Sequence, residues 1–156
     1  MTTTEKGLSS IILLIIVIGF IFITYNRNTI WHDGLNLWLD TISKSPNKGR
    51  VHNNLGAVYG KMGFIDDALR HYIKAIELEP GLYRTLNNIA IIYKDKGLFE
   101  DAIKYWHLAL EANKDFTDAY NNLGAIYLEK GQYAKAIEYL QSEIKTNPNY
   151  PDTYYN

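Results

Sequence analysis

LGAVYGKMGFIDDALRHYIKAIELEP, residues 55–80, decides the fold of this chain. Each half carries apolar residues at three- and four-residue steps, and Gly63 separates the halves, so the stretch predicts two amphipathic helices joined by a tight turn. The pattern returns twice, each time 34 residues on. Pro46 and Pro80 keep that spacing, and Pro148 lies two further periods on. So do Gly56, Ala90 and Gly124; Tyr59, Tyr93 and Tyr127; Gly63, Gly97 and Gly131; and Ala68, Ala102 and Ala136. The pairs Asn53 with Asn54, Asn87 with Asn88 and Asn121 with Asn122 repeat as well. Such a period marks a solenoid of stacked supersecondary units, here 49–82, 83–116 and 117–150. First helices are predicted over 50–62, 84–96 and 118–130, and second helices over 66–79, 100–113 and 134–147.

The repeated residue types suit those places. Gly56, Ala90 and Gly124 are small where two helices must approach, and Ala68, Ala102 and Ala136 supply the complementary small surface. The tyrosines fill the space beside these contacts. Gly63, Gly97 and Gly131 suit a left-handed cap on the first helix, and Pro80 and Pro148 end the second, since proline cannot continue the hydrogen-bond ladder. Lys114 stands at that place in the middle unit, which predicts a softer boundary there. Asp66 with Asp67, and Glu100 with Asp101, open second helices, where acidic side chains favour the positive end of the dipole.

These units resemble tetratricopeptide repeats, on the residues just quoted, over 49–148. The resemblance implies an all-α right-handed solenoid of helix hairpins whose first helices line a concave groove that binds peptides or protein segments. Glu143 departs from the family pattern, standing where a small residue is expected; it predicts looser packing or a surface that contacts something outside the chain. PDTYYN, residues 151–156, reads as the opening of a fourth unit cut after six residues. The last hairpin then lacks a polar capping helix, which predicts either a truncated reading frame or a partner or second copy, by self-association, over that face.

Before the repeats, beyond a short tail over 1–7, residues 8–25 read LSSIILLIIVIGFIFITY, eighteen residues without a charge, thirteen of them Leu, Ile, Val or Phe. As a helix of about 1.5 Å rise per residue this is about 27 Å long, against a hydrocarbon core of roughly 30 Å. Those thirteen residues favour insertion by roughly 4 to 8 kcal/mol. No small-residue cleavage site follows, so the expectation is a single uncleaved transmembrane helix. Over 29–46, Trp31, Leu35, Trp38, Leu39 and Ile42 recur at helical steps, predicting an amphipathic helix that caps the first repeat. Flanking charges leave the orientation nearly tied. The junction, with RN, W-x-D, LW-x-D and then KSPNKGRVHNNLG, resembles that of transmembrane and tetratricopeptide-repeat-containing O-mannosyltransferases. That resemblance implies repeats on the non-cytoplasmic, periplasmic or luminal side.

Composition narrows the function. With 47% apolar and 21% charged residues, a net charge of −1 and no basic run, nucleic acid is not an expected partner. Without cysteine there is no disulfide, thiolate metal site or cysteine nucleophile. His32, His52, His71 and His107 show no ligand spacing, and His52 sits at a repeat packing position. No phosphate-cradling loop or hydrolase motif appears, so no enzyme, metal or cofactor is expected.

The positive signal is a column of asparagines. Asn54, Asn88 and Asn122, flanked by Asn53, Asn87 and Asn121, lie on the groove side of the first helices, and an amide can pair with an extended peptide whatever its sequence. Arg50, Arg84, Lys61 and Lys94 are expected toward one end of the groove, with Asp118 and Glu129 toward the other. Asparagine stands where the chaperone-binding carboxylate clamp of the family uses lysine. Two functions follow: a membrane-anchored scaffold binding a protein or peptide ligand, or the repeat tail of a multi-pass membrane glycosyltransferase whose catalytic part is not in this chain.

Overall fold

The computed structural model describes the backbone of residues 3–146 and, within it, the side chains of 13–23 and 34–146. The described residues form seven helices: α1 Thr3–Lys44, α2 Gly49–Met62, α3 Ile65–Leu78, α4 Tyr83–Asp95, α5 Phe99–Ala112, α6 Thr117–Glu129 and α7 Tyr133–Thr146. Helices α2 with α3, α4 with α5 and α6 with α7 pair as hairpins; α3 then packs on α4, α5 on α6, and α1 on α2. This is the all-helical solenoid that the period predicts, with the boundaries of α2 to α7 displaced by about one residue. The fourth unit expected over 151–156, and the end of the third, lie outside the described residues.

Each first helix stops for the same reason. Gly63, Gly97 and Gly131 take φ of +85°, +74° and +69°, a conformation that a Cβ disfavours. For α2, Gly63 N–H donates to Gly60 O and Phe64 N–H to Tyr59 O, both at 3.0 Å. The same pair of bonds closes α4 and α6, so orphan carbonyls at the end of each first helix are satisfied. The softer boundary expected at Lys114 is not found. Asn113 ends α5 in an extended conformation, φ −149°, as Glu79 does after α3 at φ −137°. Its Oδ1 accepts the Asp115 N–H at 3.1 Å, so a side-chain turn holds the corner without the proline.

Close approach within a hairpin explains the small residues. A Cβ on Gly56 would lie 2.8 Å from the Tyr72 ring and 3.1 Å from Ala68 O, and one on Gly124 would lie 2.7 Å from Leu140. Ala68, Ala90, Ala102 and Ala136 are wholly buried. The main core lies between the second and third units, with Trp106, Leu86, Ile103, Phe116 and Leu123 in one cluster. Beside it the tyrosines stack in a repeated pair: Tyr93 on Tyr105, centroids 5.4 Å apart, and Tyr127 on Tyr139, 5.5 Å apart. In the first unit His71 takes the second place and stacks on Tyr59 at 5.4 Å. Burial, then the neighbouring tyrosine, pushes the Tyr105 and Tyr139 hydroxyls above their ordinary pKa.

The acidic residues that open second helices do more than offset the dipole. Asp66 pairs with Lys96 at 2.7 Å and Glu100 with Lys130, each joining the start of one unit's second helix to the end of the next unit's first. The Lys96 hydrogen bond and charge hold the Asp66 carboxyl below its usual range.

The N-terminal segment departs from expectation. A transmembrane helix over 8–25 and a separate capping helix over 29–46 were predicted; α1 runs unbroken through both, because no proline lies between them. Among the described residues no helix is long and apolar enough to cross a membrane. Of the 8–25 run, the side chains described are those of Leu13 to Ile23. The rest of the 8–25 run, and Trp31, lie outside the described side chains. Leu35, Trp38 and Ile42 are half-buried at the end of α1, but Leu39, assigned to the same face, is 41% exposed.

Candidate functional site

Successive first helices present their N-terminal halves side by side, because residues one period apart occupy equivalent places. Asn53 from α2, Tyr83, Arg84, Asn87 and Asn88 from α4, Asn113, Asp115 and Phe116 from the turn after α5, and Thr117 and Asp118 from α6 line one pocket of about 540 Å³. Of the predicted groove residues the structure thus brings together Asn53, Asn87, Asn88 and Arg84.

The others lie elsewhere. Asn54 Oδ1 accepts from Asn53 Nδ2 at 3.2 Å, and Asn122 Nδ2 donates to Asn87 Oδ1 at 3.0 Å. Asn121 Nδ2 donates to Glu143 Oε1 at 3.2 Å. Arg50 Nε lies 3.8 Å from Glu79 Oε2. Lys61 and Lys94 belong to the last turns of α2 and α4, away from the pocket. Arg84 and Asp118, one period apart, share the pocket.

The asparagine column is therefore not free for a ligand throughout, because hydrogen bonds between units use part of it. Thr85 Oγ1 donates to Asn53 Oδ1 at 2.8 Å, and Trp106 Nε1 donates to Asn87 Oδ1 at 2.9 Å. Amide donors and acceptors suit this as well as they suit a peptide, which is why residue type alone could not assign them. Glu143 is wholly buried, with Oε2 left without a partner among the described residues. Rather than forming a surface, it fills the small-residue place taken by Ala75 and Ala109.

One pair escaped the sequence reading. His52 and His71 lie on different helices, with Nδ1 atoms 3.1 Å apart, and His52 Nε2 is 3.0 Å from Pro46 O. A carbonyl only accepts, so His52 Nε2 carries a proton; with both rings neutral, His52 Nδ1 accepts and His71 Nδ1 donates. The signal was present at stacking positions: His52 stands where the later units carry Leu86 and Tyr120, and His71 where they carry Tyr105 and Tyr139. The rings border a cavity of about 660 Å³ with Leu69 and Ile73, which holds none of the predicted groove residues.

Burial, then the charges of His52 and Arg70, lower the His71 pKa from 6.5. Its folded form thus favours the neutral ring, and that stabilisation is complete above the unfolded value and is lost as pH falls through the folded one. The melting temperature should accordingly drop as pH is taken from 7.5 to 5. His71→Tyr, the residue at the two equivalent places, should flatten that dependence; an unchanged slope would show that the acid sensitivity lies elsewhere.

Family models of the tetratricopeptide repeat match residues 49–82 and 81–146. Residues 49–146 are tetratricopeptide repeats. The crystal structure of MamA resembles the chain with a TM-score of 0.72 at 22% identity, covering 83% of this chain and 75% of that one. The TPR protein YrrB, described as having an unusual peptide-binding site, resembles it with a TM-score of 0.69 at 20% identity, covering 84% and 68%. At those identities the likeness shows the fold alone. The first TPR of Spaghetti (RPAP3), solved bound to the HSP90 peptide SRMEEVD, has a TM-score of 0.64 at 25% identity, covering 69% of this chain and 86% of its own. A sequence comparison with curated proteins finds no match. The matches described here lend no support to the mannosyltransferase resemblance of the junction.

Proposed function

We propose that the chain is a protein-interaction scaffold whose tetratricopeptide repeats hold an extended peptide or protein segment against α2, α4 and α6. The observation that carries this reading is the pocket to which three consecutive first helices contribute Asn53, Asn87, Asn88, Arg84 and Asp118. Peptide occupancy of the similar RPAP3 domain supports it. The test is a titration of the isotope-labelled full chain with a decapeptide that it retains from a random synthetic library. Signals of the Asn87 and Asn88 side-chain amides and of Arg84 should shift. Shifts confined to the outer faces of α3 and α5 would remove the groove from consideration.

The scaffold is further proposed to be held at a membrane. Support comes from the charge-free run over 8–25 and from the 45% to 67% exposure of its described large apolar side chains, Leu13 to Ile23. Placement of the repeats on the non-cytoplasmic side rests on the junction resemblance. The full chain should stay with membranes through carbonate extraction, and protease added to intact spheroplasts should cut the repeats. Release by carbonate would remove the anchor, and protection of the repeats would reverse the topology.

A further inference from the structure

The chemistry of the pocket is narrower than that of a column of amides. Asn87 is only 8% exposed, and its Oδ1 already accepts two hydrogen bonds, from Trp106 Nε1 and Asn122 Nδ2, the capacity of an amide carbonyl. Among the described residues no protein acceptor meets its Nδ2, so a donor is what this buried side chain has left where it lines the pocket. Asn53 Oδ1 accepts from Thr85 and its Nδ2 donates to Asn54, each with one further bond open. At Asn87 the open atom is a donor alone, which a ligand acceptor would meet.

Charge narrows it further. The charged groups lining the pocket are Arg84, Asp115 and Asp118, one cation against two carboxylates. The Tyr83 hydroxyl, and additionally Asp118, favour the charged form of Arg84, so Asp118 is partly balanced. Asp115 has no ion pair among the described residues, and its own N–H is fixed on Asn113 Oδ1. Tyr83 and Phe116 meet edge to face, centroids 4.9 Å apart, and give an apolar wall of the kind that the methylene stem of a long basic side chain covers.

Building on the groove reading above, we propose that the occupant is an extended protein segment that sets a backbone carbonyl on Asn87 Nδ2 and a lysine or arginine at Asp115 and Asp118, its stem along Tyr83 and Phe116. An acidic segment would meet two carboxylates and a single, already partnered arginine.

The probe is a random synthetic decapeptide library passed over the immobilised full chain. Retained peptides should carry lysine or arginine over aspartate or glutamate by about 10-fold at one position, the scale of a single favourable charge pair. The double variant Asp115→Asn and Asp118→Asn changes two exposed side chains, and its helicity and melting temperature check the fold. It should still retain peptides but lose that enrichment. Retention without a basic preference, or with one that the double variant keeps, overturns this proposal and leaves the groove reading standing. If the wild-type chain retains nothing, the groove reading falls and this proposal with it.

Discussion

Trp106→Ala is expected to lower the unfolding free energy by about 3–5 kcal/mol, the range for truncating a large buried aromatic side chain. Trp106 is wholly buried, in contact with the core shared by the second and third units. Its indole N–H also holds Asn87 Oδ1 at 2.9 Å, so truncation removes both packing and a buried hydrogen bond that helps orient the pocket. A small domain has roughly 5–15 kcal/mol in all, and the variant should therefore populate open forms. Urea denaturation followed by helical circular dichroism measures the loss, and amide exchange should rise first in α4, α5 and α6. Trp106→Phe keeps most of the volume and should cost about 1–3 kcal/mol. A loss below about 1 kcal/mol for the alanine variant would show that the core does not centre on this residue.

Gly56→Leu should destabilise the first hairpin by about 1–3 kcal/mol or more through overpacking. The new side chain would start 2.8 Å from the Tyr72 ring and 3.1 Å from a backbone carbonyl, neither of which yields easily. Gly124→Leu should cost less, because its first obstacle is the end of Leu140, a side chain that can change rotamer, and the nearest carbonyl is 3.6 Å away. Contacts in a solenoid run only between neighbours, so exchange should accelerate in α2 and α3 for the first variant and in α6 and α7 for the second. Equal effects at both sites would contradict the distinction between ring and flexible side chain.

The asparagines show where legibility stopped. Their 34-residue spacing was plain, and it placed them correctly on first helices. Whether each amide faces a ligand or a neighbouring unit depends on the angle between stacked hairpins, which no single helix encodes. Asn87 Oδ1 is occupied because Trp106 and Asn122 converge on it, and those residues lie 19 and 35 positions away. The histidine pair was harder to see for the same reason: His52 and His71 look unrelated until the hairpin closes and sets their rings together.

By itself the sequence determined the local and periodic features. Turn positions follow from the φ that only glycine adopts readily at 63, 97 and 131, helix faces from apolar spacing, and the stacked-hairpin architecture from the 34-residue repeat. Each of these depends on backbone sterics or on burial of one helix face, which act within about forty residues. Tertiary structure alone decided which polar atoms remain unpaired in the pocket, how the tyrosines and His71 stack, and where Glu143 is buried. Those outcomes follow from contacts between helices, and the chemistry of a side chain fixes what it can bond but not which partner the fold brings within reach.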